Sequence, residues 1–202
     1  MFNISFFTQN NAENGEMTPF ERFKLYTYIQ KYNPKYVLET GCGTGFGSTF
    51  YILKALTHNN NDGKLFTCDP LRTPEKLIKD YKNTLFYYKV NSDVLIKSLK
   101  PYQIKPNFIF FDGPELENVA LDDFKNLEDY VEIGSVFSMH DWCTETRGYD
   151  GNVSIKAKLI KPYIQKSDKW ELIEELSGTN KNSEKNDMPY DSVGLCFYKK
   201  IK

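Results

Sequence analysis

Four acids follow short apolar runs: Glu39 after Tyr36 to Leu38, Asp69 after Lys64 to Cys68, Asp112 after Phe108 to Phe111, and Asp141, with His140 before it, after Ser135 to Met139. Three glycines on alternate positions, Gly41, Gly43 and Gly45, separate the first acid from the second. Glycines at this spacing let a backbone take positive φ or approach a ligand without a Cβ in the way, and the helical pattern from Ser48 offers free N–H groups to an anion. A carboxylate or a phosphate suits such a loop. An acid at the end of a second strand, past the glycines, can hold a ribose diol with both oxygens, which makes Asp69 the ribose candidate. Asp112 and Asp141 in one partly dry crevice would repel unless a cation joined them, and Mg²⁺ or Mn²⁺ bound by both carboxylates would relieve that. His140, Asp112 or Glu115 could then take a proton from a hydroxyl. Each residue also has a plain structural use: a ligand-free strand-to-helix turn, an Asp-Pro or Asp-Gly turn, or a histidine packed in the core.

The elements that must carry these groups alternate. Thr18-Pro19-Phe20-Glu21 is a helix start, with Thr18 as N-cap and Glu21 completing a capping box, and Phe20, Phe23, Leu25, Tyr26 and Ile29 predict an apolar stripe to about Tyr32. Strands are expected at 36–38, 64–68, 85–90, 108–111, 135–139, 170–177 and 192–198. Helices are expected from Ser48, from Thr73-Pro74 to Tyr81, from near Asn91 to Leu99, at 116–130 and at 153–166. Ser92 or Asp93 suits the N-cap of the short fourth-strand-side helix. The last two strands have no helix between them, so they can pair only antiparallel. The polar stretches 143–152 and 178–190 are the candidate lids.

Glu39-x-Gly41-x-Gly43-x-Gly45 resembles the first motif of class I S-adenosylmethionine (SAM) dependent methyltransferases, and differs from the G-x-G-x-x-G of dinucleotide binders. Asp112-Gly113 and His140-Asp141 followed by Trp142 resemble the O-methyltransferase branch that includes catechol-type and macrocin-type enzymes. The resemblance covers roughly residues 33 to 200. It implies a Rossmann-like, doubly wound seven-stranded sheet, order 3-2-1-4-5-7-6, with the last strand antiparallel. A methyltransferase domain over 34–202 would follow an N-terminal segment and cover helix over 1–33. By resemblance, Glu39, Gly41, Gly43 and Gly45 hold the methionine part of SAM, Asp69 its ribose, and Asn91, Ser92 or Asp93 its adenine. Asp112 and Asp141 match two metal ligands. The departures are Trp142, where catechol-type enzymes have Asn, and Glu115, where they have a lysine base.

The implied activity is methyl transfer to a hydroxyl oxygen of a small molecule or sugar, assisted by a divalent metal where one is present. An NAD-dependent oxidoreductase and a non-catalytic SAM-binding or partner-binding module are the alternatives. At 202 residues the chain suits one domain, and 26 Lys+Arg against 27 Asp+Glu give no positive field to attract nucleic acid. The four cysteines have no metal-ligand spacing, which with the absence of a leader pattern or long apolar run predicts a cytoplasmic chain without a membrane segment. Tyr149, Trp142 and Arg147 could line an acceptor pocket or a homo-oligomer contact.

Overall fold

Helix α1 (Pro19–Tyr32) starts on the expected capping box: the Thr18 hydroxyl accepts from the Glu21 amide, and the Glu21 carboxylate accepts from the Thr18 amide. The chain continues through β1 (Tyr36–Thr40), α2 (Ser48–Asn59), β2 (Lys64–Cys68), α3 (Glu75–Asp80), β3 (Leu85–Tyr88) and α4 (Ser92–Leu99). It then forms β4 (Phe108–Phe111), α5 (Glu117–Tyr130), β5 (Val136–His140), α6 (Ile155–Lys166), β6 (Trp170–Leu176) and β7 (Leu195–Lys200). This computed structural model describes residues 6–7, 17–113, 116–142, 154–176 and 194–202. Glu115, Arg147, Tyr149 and the two candidate lids lie outside the described residues.

The seven strands form one sheet in the order β3-β2-β1-β4-β5-β7-β6. All pairs are parallel except those of β7, which runs antiparallel to both β5 and β6. Order and direction are those expected from the sequence. The four residues of β4 are all apolar and all buried, as a central parallel strand covered on both faces requires. Side chains alternate between two core layers. Leu38, Ile109, Phe111, Phe137 and Met139 pack with α4, α5 and α6, whereas Val37, Phe108, Phe110 and Val136 pack with α1, α2 and α3.

Three boundaries differ from expectation in ways that bear on the site. Strand β5 extends to His140, whose partner is Leu195 of β7. His140 is therefore in phase with Ser138 and points to the α1 side of the sheet. Strand β7 starts later and ends later than expected, because its ladder with β5 and β6 continues to Lys199 and Lys200. In α1 the buried set includes Glu21 and Arg22 beside Leu25, Tyr26 and Ile29, while Phe20 and Phe23 are only partly covered. No helix among the described residues is long and apolar enough to cross a membrane.

Candidate active site

The sheet register sets the site. Thr40 pairs with Cys68 and Phe111, and Phe111 pairs with Met139, so the next residues along, Gly41, Asp69, Asp112 and His140, form a row across the C-terminal edge. In a doubly wound sheet this edge carries the ligand crevice. Gly41 has φ +80°, and a Cβ there would lie 2.3 Å from the Asp112 carbonyl oxygen, so the glycine allows the β1 and β4 ends to close on each other. The Gly41 and Cys42 amides both donate to the Cys68 carbonyl, folding the loop toward β2.

Glu39 sits below this loop, fully buried. Its carboxylate accepts from the hydroxyls of Ser48 at 2.6 Å, Thr67 at 2.7 Å and Thr49 at 2.8 Å. Burial pushes its pKa up to about 7, although the three hydroxyls act in the opposite direction and Asp112 adds only a little. Glu39 thus ties β1, β2 and the start of α2 together beneath the loop. Asp69 accepts at one oxygen from the Leu71 and Arg72 amides, at 2.9 and 2.8 Å, and at the other from the Gly43 amide at 2.9 Å. It joins the glycine loop to the turn after β2.

A cavity of about 610 Å³ opens on one side of the row, lined by Gly41, Asp69, Asn91, Ser92, Asp93 and Asp112 among others. Within it, Ser92 donates a short hydrogen bond to the buried Asp123, and Asp93 pairs with Lys97 on the same helix. The N-cap position of α4 falls on Asn91, one residue before Ser92 and two before Asp93, the expected caps, and no side chain caps it. A second cavity of about 300 Å³ is lined by Gly43, Ser48, Arg72, His140, Asp141 and Lys156. The two share Gly41, Asp112 and Gly113, so they adjoin across that wall, and each has the size of a small-molecule site.

The second cavity carries the densest set of charges. Asp141 has φ 55°, a left-handed conformation that aspartate tolerates. His140 is buried, with Nε2 3.3 Å from Glu21 and Nδ1 3.5 and 3.6 Å from Asp112 and Asp141. Burial opposes its charge, but Asp141, Asp112 and Glu21 outweigh it, so its pKa stands well above 6.5. Lys156, 1% exposed in the first turn of α6, places Nζ 2.7 Å from Asp112 Oδ1 and 3.2 Å from Asp141 Oδ2. The structure thus brings together Gly41, Asp112, His140 and Asp141 of the sequence-derived candidates.

It also adds two residues that sequence reasoning missed, Glu21 and Lys156. Both have a readable signal: Glu21 stands four and eight residues before the buried Leu25 and Ile29, and Lys156 four and eight before the buried Ile160 and Ile164. A charge on the apolar stripe of a helix is a charge with a partner. Trp142 does not line an acceptor pocket. It is 1% exposed, packs edge-on against Tyr198 in the core, and has Lys161 over its ring.

One ligand atom each from Asp112, His140 and Asp141 falls within 4.8 Å of the others, a spacing that a divalent ion could bridge. The Lys156 ammonium stands between the two carboxylates, where such an ion would have to be. With the Lys156 ammonium in this place a resident Mg²⁺ or Mn²⁺ would be excluded, and the chemistry below is derived from the side chains alone.

Comparison with known proteins agrees with the geometry. Solved structures with the same fold include an O-methyltransferase from Bacillus cereus in complex with SAH, at 14% identity and TM-score 0.69, covering 98% of this chain and 90% of that one. The O-methyltransferase TomG from Streptomyces achromogenes, involved in tomaymycin synthesis and solved with SAM, matches at 11% identity and TM-score 0.69, covering 98% and 89%. A methyltransferase from Geobacter sulfurreducens matches at 10% identity and TM-score 0.61, covering 90% and 80%. No curated protein sequence matches the chain. A family model described as a methyltransferase domain matches residues 38–142, from the middle of β1 through Trp142, and so takes in the glycine loop and the acids at the ends of β2, β4 and β5. The chain belongs to this methyltransferase-domain family.

Proposed function

We propose that this methyltransferase uses SAM to methylate a hydroxyl oxygen of a small molecule, a sugar hydroxyl being the acceptor that the macrocin-type resemblance favours. The observation that carries the proposal is the pair of adjoining cavities beside the glycine loop, with Gly41 and Asp112 on the wall that the two halves share. The larger half suits the nucleoside of SAM, with Asp69 at the ribose and Asn91, Ser92 or Asp93 toward the adenine. The smaller half suits the methionine end and the acceptor. Gly43, on the wall of the smaller cavity, leaves room for the ligand, Gly45 lets the loop pack against Leu77 and Pro74, and Glu39 fixes that loop through Ser48, Thr49 and Thr67. The SAM- and SAH-bound O-methyltransferases of the same fold support the choice of cofactor.

Methyl transfer from a sulfonium is an in-line displacement in which charge is neutralised, so alignment of the acceptor contributes more than anion stabilisation. The acceptor still has to lose a proton. Asp112, partly exposed on the shared wall, is the carboxylate placed to receive it, and Glu115 stands three residues further along as the second candidate. His140, with three carboxylates around it, acts as a fixed positive charge that orients Asp112 and Asp141. The glycine spacing and the antiparallel β7 speak against the oxidoreductase alternative.

Calorimetric titration of the purified chain with SAH and, separately, with NAD⁺ tests this. The expected result is micromolar SAH binding that Asp69→Ala weakens at least about tenfold, or 1.4 kcal/mol. Failure to bind SAH, or preference for NAD⁺, would overturn the proposal.

A further inference from the structure

Lys156 lies on the buried stripe of α6, in line with Ile160 and Ile164. Its side chain is 2% exposed. The helix start is fixed: Ser154 caps it by accepting from the Ala157 amide, and Ala157 and Ile160 are fully buried. A lysine is normally kept out of such a position by the cost of burying its charge, unless that charge is paired. Among the described residues it is paired with Asp112 at the end of β4 and with Asp141 just after β5.

These are the same two carboxylates that the sequence offered as metal ligands. An ammonium donates to carboxylate oxygens at the 2.7 and 3.2 Å found here. A divalent ion would need those oxygens at about 2.0–2.2 Å and would have to drive the ammonium out of its buried place. Among the described residues the other ligand atom close by is Nδ1 of His140, 3.5 and 3.6 Å from Asp112 and Asp141, while its Nε2 faces Glu21.

We propose that the Lys156 ammonium is the resident cation of this site, standing between Asp112 and Asp141 in place of a divalent metal, so that the chain works without one. What this says of catalysis rests on the methyl-transfer reading above; what it says of cation binding does not. Lys156 cancels the repulsion between the two carboxylates and holds Asp112 on the wall the two cavities share. It is a positioning residue, acting on the acceptor through Asp112.

Metal binding by the whole, chelator-treated chain tests this, with Mn²⁺ as the probe and the electron paramagnetic resonance signal of the free aqueous ion as the readout. The wild-type chain is expected to leave Mn²⁺ free up to about 1 mM, the range of the weakest oxygen-ligand sites. Lys156→Met removes the charge but keeps an unbranched apolar stem, and is expected to bind Mn²⁺ at least about tenfold more tightly than wild type. Lys156→Arg keeps the charge and is expected to remain metal-free. Micromolar Mn²⁺ binding by the wild-type chain, lost in Asp141→Asn, would overturn the inference, and this comparison stands even if the Lys156 variants do not fold. SAH calorimetry on the same chelated wild-type sample separates the two proposals. SAH binding together with tight Mn²⁺ binding sinks the lysine inference alone, whereas weak Mn²⁺ binding without SAH binding supports the lysine cation and sinks the SAM reading.

Discussion

Replacing Glu39 by Gln should change how stability depends on pH more than it changes stability itself. Glu39 is buried among three hydroxyls, and its folded pKa is about 7 against an ordinary 4.5. Below pH 4.5 the carboxyl is protonated in both the folded and the unfolded chain. Between 4.5 and 7 the folded chain keeps a proton that the unfolded chain has released, so stability falls as pH rises, by about 1.4 kcal/mol per pH unit. Above 7 both forms are ionised and the loss is complete, at roughly 3 kcal/mol. Part of that loss has already occurred at pH 5, which leaves about 2.5 kcal/mol to be lost between pH 5 and pH 8. Glutamine has the same shape and no charge, and the hydroxyls of Ser48, Thr49 and Thr67 can rotate to meet its amide. Urea unfolding of wild type and Glu39→Gln at both pH values reads the difference, since the titrations of all other groups cancel between the two chains. The variant should gain about 2.5 kcal/mol on wild type from pH 5 to pH 8. Parallel pH profiles would refute the argument and show that Glu39 ionises in the fold as easily as in water.

Two further substitutions test how the site is held together. Gly41→Ala puts a side chain at φ +80° and a Cβ 2.3 Å from the Asp112 carbonyl oxygen, so it should cost more than the roughly 1–2 kcal/mol of the conformation alone and abolish SAH binding. A thermal midpoint within about 2 °C of wild type would contradict this. Glu21→Gln leaves one of the Thr18 and Gly194 amides, which donate at 2.9 and 3.1 Å to opposite oxygens of the carboxylate, facing an amide NH₂. Urea unfolding should show a loss of about 1–3 kcal/mol, and a loss under about 0.5 kcal/mol would mean that Glu21 does not tie α1 to β7.

The fold was legible because its signals are local. The glycine loop, the apolar runs ending in acids and the lack of a helical pattern before the last strand are each read within a short stretch of chain, and the resemblance supplied the strand order. Strand ends were less legible, since a ladder extends as far as its neighbours allow. β5 takes in His140 because β7 offers Leu195 as a partner. β7 reaches Lys200 because that residue pairs with Trp170, and its ammonium is received by the Glu128 and Val131 carbonyls. Nothing within residues 192–202 announces those carbonyls.

The site was legible where function places unusual residues at strand ends and illegible where a helix supplies the counter-charge. Asp112 and Asp141 were visible as acids that should repel, and the sequence argument asked for a cation to join them. It looked for that cation outside the chain. The partner is Lys156, 44 residues beyond Asp112 in the chain, on a helix whose lysines look alike until its buried stripe is drawn through Ile160 and Ile164. Glu21 was likewise assigned to its own helix as a capping residue, and it is one. The same carboxylate also reaches His140, 119 residues away, and the Gly194 amide, 173 residues away. A capping glutamate on the polar side of α1 would meet only water. This one lies in phase with Leu25 and Ile29, so the packing of that stripe carries it into the site and makes α1 part of the charge arrangement around His140.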